Sequence, residues 1–171
     1  MSLIDTYLSK YDYTATHQTR VNGKPSEVYP EARHLDFNES WKAKVLFKLR
    51  RLPFEDLTLD AMVKDGSFAV LEESPPNEFV VGLMGSPRGK PVPITDAEAF
   101  LRFNKVDGLK VAWNFLLTPE GQEETRVSTE TRILCLGPSM KRKFSIYWFF
   151  VRPFSGLLRK EMLGLVRKRV A

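Results

Sequence analysis

Residues 139–169 read SMKRKFSIYWFFVRPFSGLLRKEMLGLVRKR, and this stretch decides the fold. Its apolar residues recur every three, four or seven positions, a spacing that places them on one face of an α-helix. The sequence therefore predicts a C-terminal helix of about 45 Å with a wide apolar stripe. The stripe consists of Phe144, Tyr147, Trp148, Val151, Leu158, Met162 and Leu165.

Pro153 lies in the middle of this helix. An interior proline costs roughly 3 kcal/mol or more in a straight helix, because it lacks an N–H group and its ring clashes with the preceding turn. Ser155 and Gly156 follow closely. We expect either two helical pieces or one bent rod.

Upstream of the helix, the dominant pattern is the two-residue period of β-strands. In Leu109–Thr118, every second residue from Val111 to Leu117 is apolar, and Thr125–Leu136 alternates in the same way after a turn at Glu120-Gly121. Earlier strands are predicted over 11–21, 68–73 and 78–84, and another over 97–104, before a hairpin turn at Asp107-Gly108. The glycines and prolines of 85–93 predict a loop.

Helical segments separate the first strand from the later strands. Ser2 can cap a short helix over 3–8, and Pro25 can open another, since the first turn needs no N–H from that residue. Asn38 or Ser40 can cap a helix from Trp41 that ends at Pro53, and a weaker helical segment covers 57–63.

Helices that are segregated from consecutive antiparallel strands indicate an α+β fold. We predict one domain spanning residues 1–171, in which a curved antiparallel sheet of six or seven strands wraps around the C-terminal helix, with two short helices after the first strand. One sheet face has to be buried, and the long helix is its cover.

Charge and reactive side chains favour few functions. The net charge is +5, and the clusters 141–143 and 167–169 predict a solvated helix face, with weak contact to an anionic membrane surface but no nucleic-acid partner. His17 and His34 lack metal-ligand spacing, so no metal and no cofactor are predicted.

Cys135, the one cysteine, lies in an apolar run and is predicted to be a buried hydrophobe. The N-terminus has no secretory pattern, which predicts a cytoplasmic protein.

The chain resembles the START-like superfamily, also called SRPBCC or Bet v 1-like, and within it a bacterial group without a fixed catalytic set. The resemblance is carried by 11–21 with the helix at Pro25, by 68–85, by LKVAWNF at 109–115, by TRVSTETRI at 125–133, and by 147–163, which ends in RPFSGLLRKEML at 152–163. It implies the helix-grip fold and a cavity between sheet and helix. Superfamily members hold lipids, sterols, polyketides or other apolar molecules there, and some are cyclases or dehydratases.

We therefore expect an apolar pocket of roughly 300–1,000 Å³ that binds or carries a hydrophobic small molecule such as a lipid, polyketide or aromatic compound. The alternatives are a cyclase- or dehydratase-type enzyme that uses the same cavity, and a membrane-surface interaction protein. No catalytic residue is assigned. The predicted lining consists of Trp113, Phe115, Thr129, Thr131, Tyr147, Trp148, Val151 and Met162.

Glu130 and Arg132 lie two residues apart on a strand and so share one sheet face. A cross-strand pair on the surface is one interpretation. If that face points inward, the pair would instead be the polar anchor of the ligand site.

Overall fold

The computed structural model describes residues 1–49, 55–85 and 90–171. The strands are β1 (Tyr13–Asn22), β2 (Ala69–Ser74), β3 (Glu78–Gly85), β4 (Pro91–Val92), β5 (Gly108–Pro119) and β6 (Glu124–Leu136). The helices are α1 (Leu3–Tyr7), α2 (Pro25–Arg33), α3 (Trp41–Leu49), α4 (Leu59–Lys64), α5 (Ala97–Arg102) and α6 (Pro138–Val170), and a 3₁₀ turn covers Phe37–Glu39.

The strands form one antiparallel sheet in the order β1-β6-β5-β3-β2, and β4 pairs with the end of β3. The predicted α+β helix-grip fold is confirmed, with six strands, a long C-terminal helix and short helices after the first strand. Tyr13 of β1 lies opposite Ile133 of β6, so the first and last long strands are neighbours.

The inner face of the sheet packs against α6. Odd-numbered positions of β5 and β6 share this face because side chains alternate along a strand. Trp113, Phe115 and Val127 from the sheet join Leu158 and Met162 from α6 in the largest core cluster. The Phe115 ring stacks on Phe79 of β3 with a centroid separation of 5.2 Å.

Helix α6 continues through Pro153 without interruption over 33 residues, about 50 Å at 1.5 Å per residue. Of the two predicted alternatives, the structure excludes two helical pieces and retains the single rod. Trp148 before the proline and Leu158 after it are both buried. Each large side chain buried in this way stabilises the rod by about 1.5–3 kcal/mol, and several together offset the cost of the proline.

The outer face of the sheet is also covered, which the sequence did not predict. Ile4 and Leu8 from the α1 region and Phe100 of α5 pack with Val80 and Ala112 of the sheet. These apolar contacts form a second core on the side away from α6.

The strand predicted over 97–104 is wrong, because this segment forms α5. The side chain of Asp96 accepts a hydrogen bond of 2.6 Å from the Ala99 N–H and caps the helix. Phe100 then becomes fully buried against the outer face. Asp107-Gly108 consequently joins a helix to β5 and does not close a hairpin.

Three further predictions concern segment ends. The strands predicted over 68–73 and 78–84 are confirmed as β2 and β3, which pair as an antiparallel hairpin. Within the loop predicted over 85–93, Pro91–Val92 forms β4 beside Met84 and Gly85, whereas residues 86–89 lie outside the described residues. The predicted end of α3 near Pro53 also lies outside them.

None of the helices in the described part of the chain has the length and apolar composition needed to cross a membrane.

Candidate functional site

Polar side chains from three neighbouring strands face α6. His17 of β1 lies directly opposite Thr129 of β6, and Thr131 lies opposite Trp113 of β5. These odd-numbered positions belong to the inner face. Two adjacent rows of the sheet therefore present an imidazole, two hydroxyls and an indole N–H to the helix.

Polar atoms in this region are buried without hydrogen-bond partners. Within residues 1–49, 55–85 and 90–171, this holds for Nδ1 of His17, Oγ1 of Thr129 and of Thr131, Nε1 of Trp113 and the hydroxyl of Tyr29. Each such group costs about 1–3 kcal/mol when it is buried unpaired. Five unpaired polar atoms on the same side of the sheet would destabilise a purely structural core substantially. We therefore take the residues that carry them as the candidate site.

Arg159 of α6 adds a positive charge. Its guanidinium carbon lies 4.9 Å from the centroid of the Trp113 ring, and its Nη1 lies 3.4 Å from the sulfur of Met162. Arg159 is half-buried, whereas Trp113 and Met162 are buried. The arginine therefore lies between solvent and the unpaired polar atoms, over an apolar and aromatic surface.

Burial favours the neutral forms of His17 and Tyr29. Burial lowers the pKa of His17, and the nearby charges of Arg159 and Lys160 lower it further. Burial raises the pKa of Tyr29 to about 12. A Cβ atom on Gly156 would lie 3.5 Å from Nε2 of His17, so α6 passes directly beside the imidazole.

The eight predicted lining residues do not form one group. Trp113, Phe115 and Met162 share the largest core cluster, with Thr129 and Thr131 buried on the same sheet face. Trp148 belongs to a different cluster, with Phe144 and Tyr13. Tyr147 is 46% exposed, and Val151 is half-buried.

Sequence reasoning missed His17, Tyr29 and Arg159 as site residues. The spacing of His17 and His34 excludes a metal site but assigns no other role to His17. The two-residue alternation of β1 does place it on the same face as the buried Val21. That alternation was a usable signal, whereas nothing in the sequence indicated that Arg159 would lie over Trp113.

Two clefts in the structure lie elsewhere, near the C-terminal end of α6. One has a volume of about 530 Å³ and includes Asn22, Glu27 and Arg169 in its walls. The other, of about 460 Å³, includes Arg20 and Arg167. Their walls are largely polar or charged, and none of the eight predicted lining residues contributes to them, so the apolar pocket under α6 stays a prediction.

Glu130 and Arg132 lie on the outer face, which rules out a role as the inward polar anchor. The Nε atom of Arg132 lies 2.7 Å from Oε1 of Glu130, and its Nη1 lies 2.8 Å from Oδ1 of Asp5 in α1. Nη1 also donates a hydrogen bond of 3.1 Å to the carbonyl oxygen of Leu8. The arginine thus fastens the N-terminal segment to the sheet.

No three His, Cys, Asp or Glu side chains come together as potential metal ligands in the described residues. Cys135, the one cysteine of the sequence, is buried on the inner face beside Met140 and Phe144. Burial raises the pKa of its thiol to about 11.

We expect Cys135 to react very slowly with a thiol reagent at pH 8 in the folded protein, because the thiolate is the reactive form and the thiol stays protonated. The same measurement in urea should show rapid and complete labelling. Equal labelling rates in buffer and in urea would contradict the buried position.

No family model matches the sequence, and the comparison with curated proteins finds no match. Among solved structures, a conserved protein from Geobacillus kaustophilus is similar over 92% of this chain and 95% of its own, with 15% identity and a TM-score of 0.49. A norcoclaurine synthase from Thalictrum flavum is similar over 92% and 93%, with 11% identity and a TM-score of 0.42. The Zhui aromatase/cyclase from Streptomyces sp. R1128 is similar over 93% and 96%, with 14% identity and a TM-score of 0.39.

Proposed function

We propose that the protein binds a hydrophobic small molecule between the inner sheet face and α6, with a polar end of that molecule at the unpaired side chains. The observation that carries the proposal is the group of buried polar atoms without partners on His17, Tyr29, Trp113, Thr129 and Thr131. A ligand that bonded to these atoms would remove the cost of burying them unpaired.

The chemistry of these groups indicates the kind of ligand. The indole N–H of Trp113 can only donate a hydrogen bond, and hydroxyl groups can donate as well as accept. An acceptor such as a carbonyl or carboxylate oxygen is their common complement, and the charge of Arg159 favours an anion. The rings of Phe79 and Phe115, stacked and fully buried, suit an apolar or aromatic body. A lipid, polyketide or aromatic acid meets both requirements.

Replacing Thr129 and Thr131 by Val separates binding from structure. Valine has nearly the shape of threonine but lacks the hydroxyl, so a hydroxyl that serves only the ligand can be removed without destabilising the fold. We expect each variant to be at least as stable as the parent in urea unfolding, by up to about 1 kcal/mol. Affinity for the ligand should fall by about tenfold per lost hydrogen bond.

Thr16→Val is the matched control, since Thr16 lies exposed on β1 and points away from α6. The experiment begins with a native mass spectrum of the purified protein, which should reveal a copurified compound. The variants are then titrated with 8-anilinonaphthalene-1-sulfonate, a probe that joins fused rings to an anion. A spectrum of polypeptide alone, together with equal probe affinity in the parent and the Thr131→Val variant, would overturn the proposal.

The cyclase or dehydratase alternative is favoured by one observation, the neutral imidazole of His17 with a buried and unpaired Nδ1. A neutral imidazole can accept a proton from a bound molecule. If the protein is such an enzyme, His17→Asn should abolish conversion of the copurified compound and leave its binding nearly unchanged. Loss of binding without any conversion by the parent would favour carriage alone.

A further inference from the structure

The side of α6 that faces away from the sheet carries an exposed apolar stripe. Ile146, Phe149 and Phe150 are 62%, 77% and 66% exposed, and Phe154 and Leu157 continue the row. Their spacing of three and four residues places them on one side of the helix over three turns. Isolated exposed apolar residues are ordinary, whereas a contiguous row of this size marks a contact surface.

Basic residues continue the same stripe at both ends. Arg142 and Lys143 lie one turn before Ile146, and Lys160 lies three residues after Leu157, and all three are exposed. Helix α6 contains nine Lys or Arg residues and a single acidic residue, Glu161. Glu161 is engaged with α3, where it accepts hydrogen bonds from the Ser40 hydroxyl and the Lys42 ammonium group. No acidic side chain of α6 therefore opposes the charge along the exposed stripe.

We infer that α6 docks on an anionic lipid surface, with the stripe Ile146–Leu157 inserted among the acyl chains and the flanking basic residues on the headgroups. An apolar stripe with Lys and Arg at its edges is the pattern of helices that lie in the plane of a membrane interface. Basic residues close to the membrane surface are attracted by the negative surface potential of anionic lipids. The neighbouring helix α3 offers the same combination, because Trp41 and Val45 are exposed beside Lys44 and Lys48.

Charge complementarity favours lipid over a second copy of the chain. A symmetric pairing of two stripes would bring the same surface of each copy together. Arg142, Lys143 and Lys160 of each copy would then border one interface, and like charges facing each other across an interface are unfavourable. An anionic headgroup layer complements these charges, and its interior covers the five apolar side chains.

The test uses flotation with vesicles of about three parts phosphatidylcholine to one part phosphatidylglycerol, against vesicles of phosphatidylcholine alone. We expect the parent protein to float with the anionic vesicles and to partition much less into neutral ones. The double variant Phe149→Ser/Phe150→Ser should lower the partition coefficient on anionic vesicles by on the order of tenfold or more, because two inserted aromatic side chains are lost. Arg142→Gln/Lys143→Gln should weaken binding to anionic vesicles and leave binding to neutral vesicles unchanged.

Val106→Ser is the matched control, since Val106 is an exposed apolar residue that precedes β5 and lies outside α6. It should bind like the parent. All variants should keep the thermal transition of the parent, because the substituted side chains are exposed. No flotation of the parent, equal binding by the Phe149→Ser/Phe150→Ser variant, or a dimer by light scattering that this variant converts to a monomer would each overturn the proposal.

Discussion

A chain truncated after Pro153 is expected to show no cooperative thermal transition. The deletion removes five buried apolar side chains of α6, namely Leu158, Met162, Leu163, Leu165 and Val166. Burial of each is worth about 1.5–3 kcal/mol, or about 8–15 kcal/mol together, whereas whole domains are stable by about 5–15 kcal/mol. Circular dichroism at increasing temperature is the measurement, and the truncated chain should give a sloping line where the parent gives a sigmoid.

Truncation after Val166 is the control, because it removes five residues at the end of α6 and keeps the buried ones. This shorter deletion also removes Arg169, whose Nη2 lies 2.8 Å from a Glu39 carboxylate oxygen at a partly exposed position. Exposed pairs contribute roughly 0–1 kcal/mol, so the variant should still melt cooperatively at a slightly lower temperature. A chain ending at Pro153 that melted near the parent temperature would show that α6 is peripheral to the core.

Replacing Arg132 by Ala should lower the free energy of unfolding by about 2–3 kcal/mol at pH 7. Loss of one partner from a buried ion pair costs roughly 3–5 kcal/mol, and we expect less here because Asp5 and Glu130 are partly exposed. The substitution leaves both carboxylates and the Leu8 carbonyl oxygen without their shared donor. Arg132→Lys, which keeps the charge but not the forked geometry, should lose an intermediate amount.

The pH dependence of this difference has a definite sign. The hydrogen bond from Arg132 is the leading cause that lowers the pKa of Asp5 below its ordinary value of 3.8. Stabilisation through a lowered carboxyl pKa is fully present above the unfolded pKa and is lost as pH falls through the folded pKa. The gap between the parent and Arg132→Ala in urea unfolding should therefore narrow below about pH 4. A gap that stays constant from pH 7 to pH 3 would contradict the assigned role of Asp5.

The periodic segments could be predicted because their apolar residues must all lie on the face that is buried. In β5, the alternation from Val111 to Leu117 fixed both the strand and the face that meets α6. The stripe of α6 did the same for the helix. Both signals are local, and tertiary packing reinforces each of them.

Segment 97–104 shows why local patterns can fail. Its apolar residues suit a short strand as well as a short helix, and the capping residue Asp96 is a local signal for the helix. The choice is made by contacts from distant parts of the chain, since Phe100 packs with Ile4 and Leu8 on an outer face that the sequence did not predict to be buried. Six residues carry too little periodicity to decide between the two.

The candidate site was only partly predictable for a similar reason. Thr129, Thr131 and Trp113 follow from strand alternation and were named from the sequence. Arg159 reaches its position over Trp113 through the angle at which α6 crosses the sheet. That angle is set by the packing of the whole inner face, so a helical wheel does not reveal it.

The pairing of β1 with β6 joins residues about 120 positions apart, as Tyr13 and Ile133 illustrate. Folding rate falls as the sequence separation of contacting residues grows, because the chain must close a long loop before the contact yields any stabilisation. During translation, β1 leaves the ribosome long before β6, its strand partner in the described part of the chain, exists. Until then, the backbone N–H and C=O groups of residues 13–21 have no partner strand. This state favours chaperone capture or aggregation. Synthesis of β6 therefore sets the earliest moment at which the sheet can be completed.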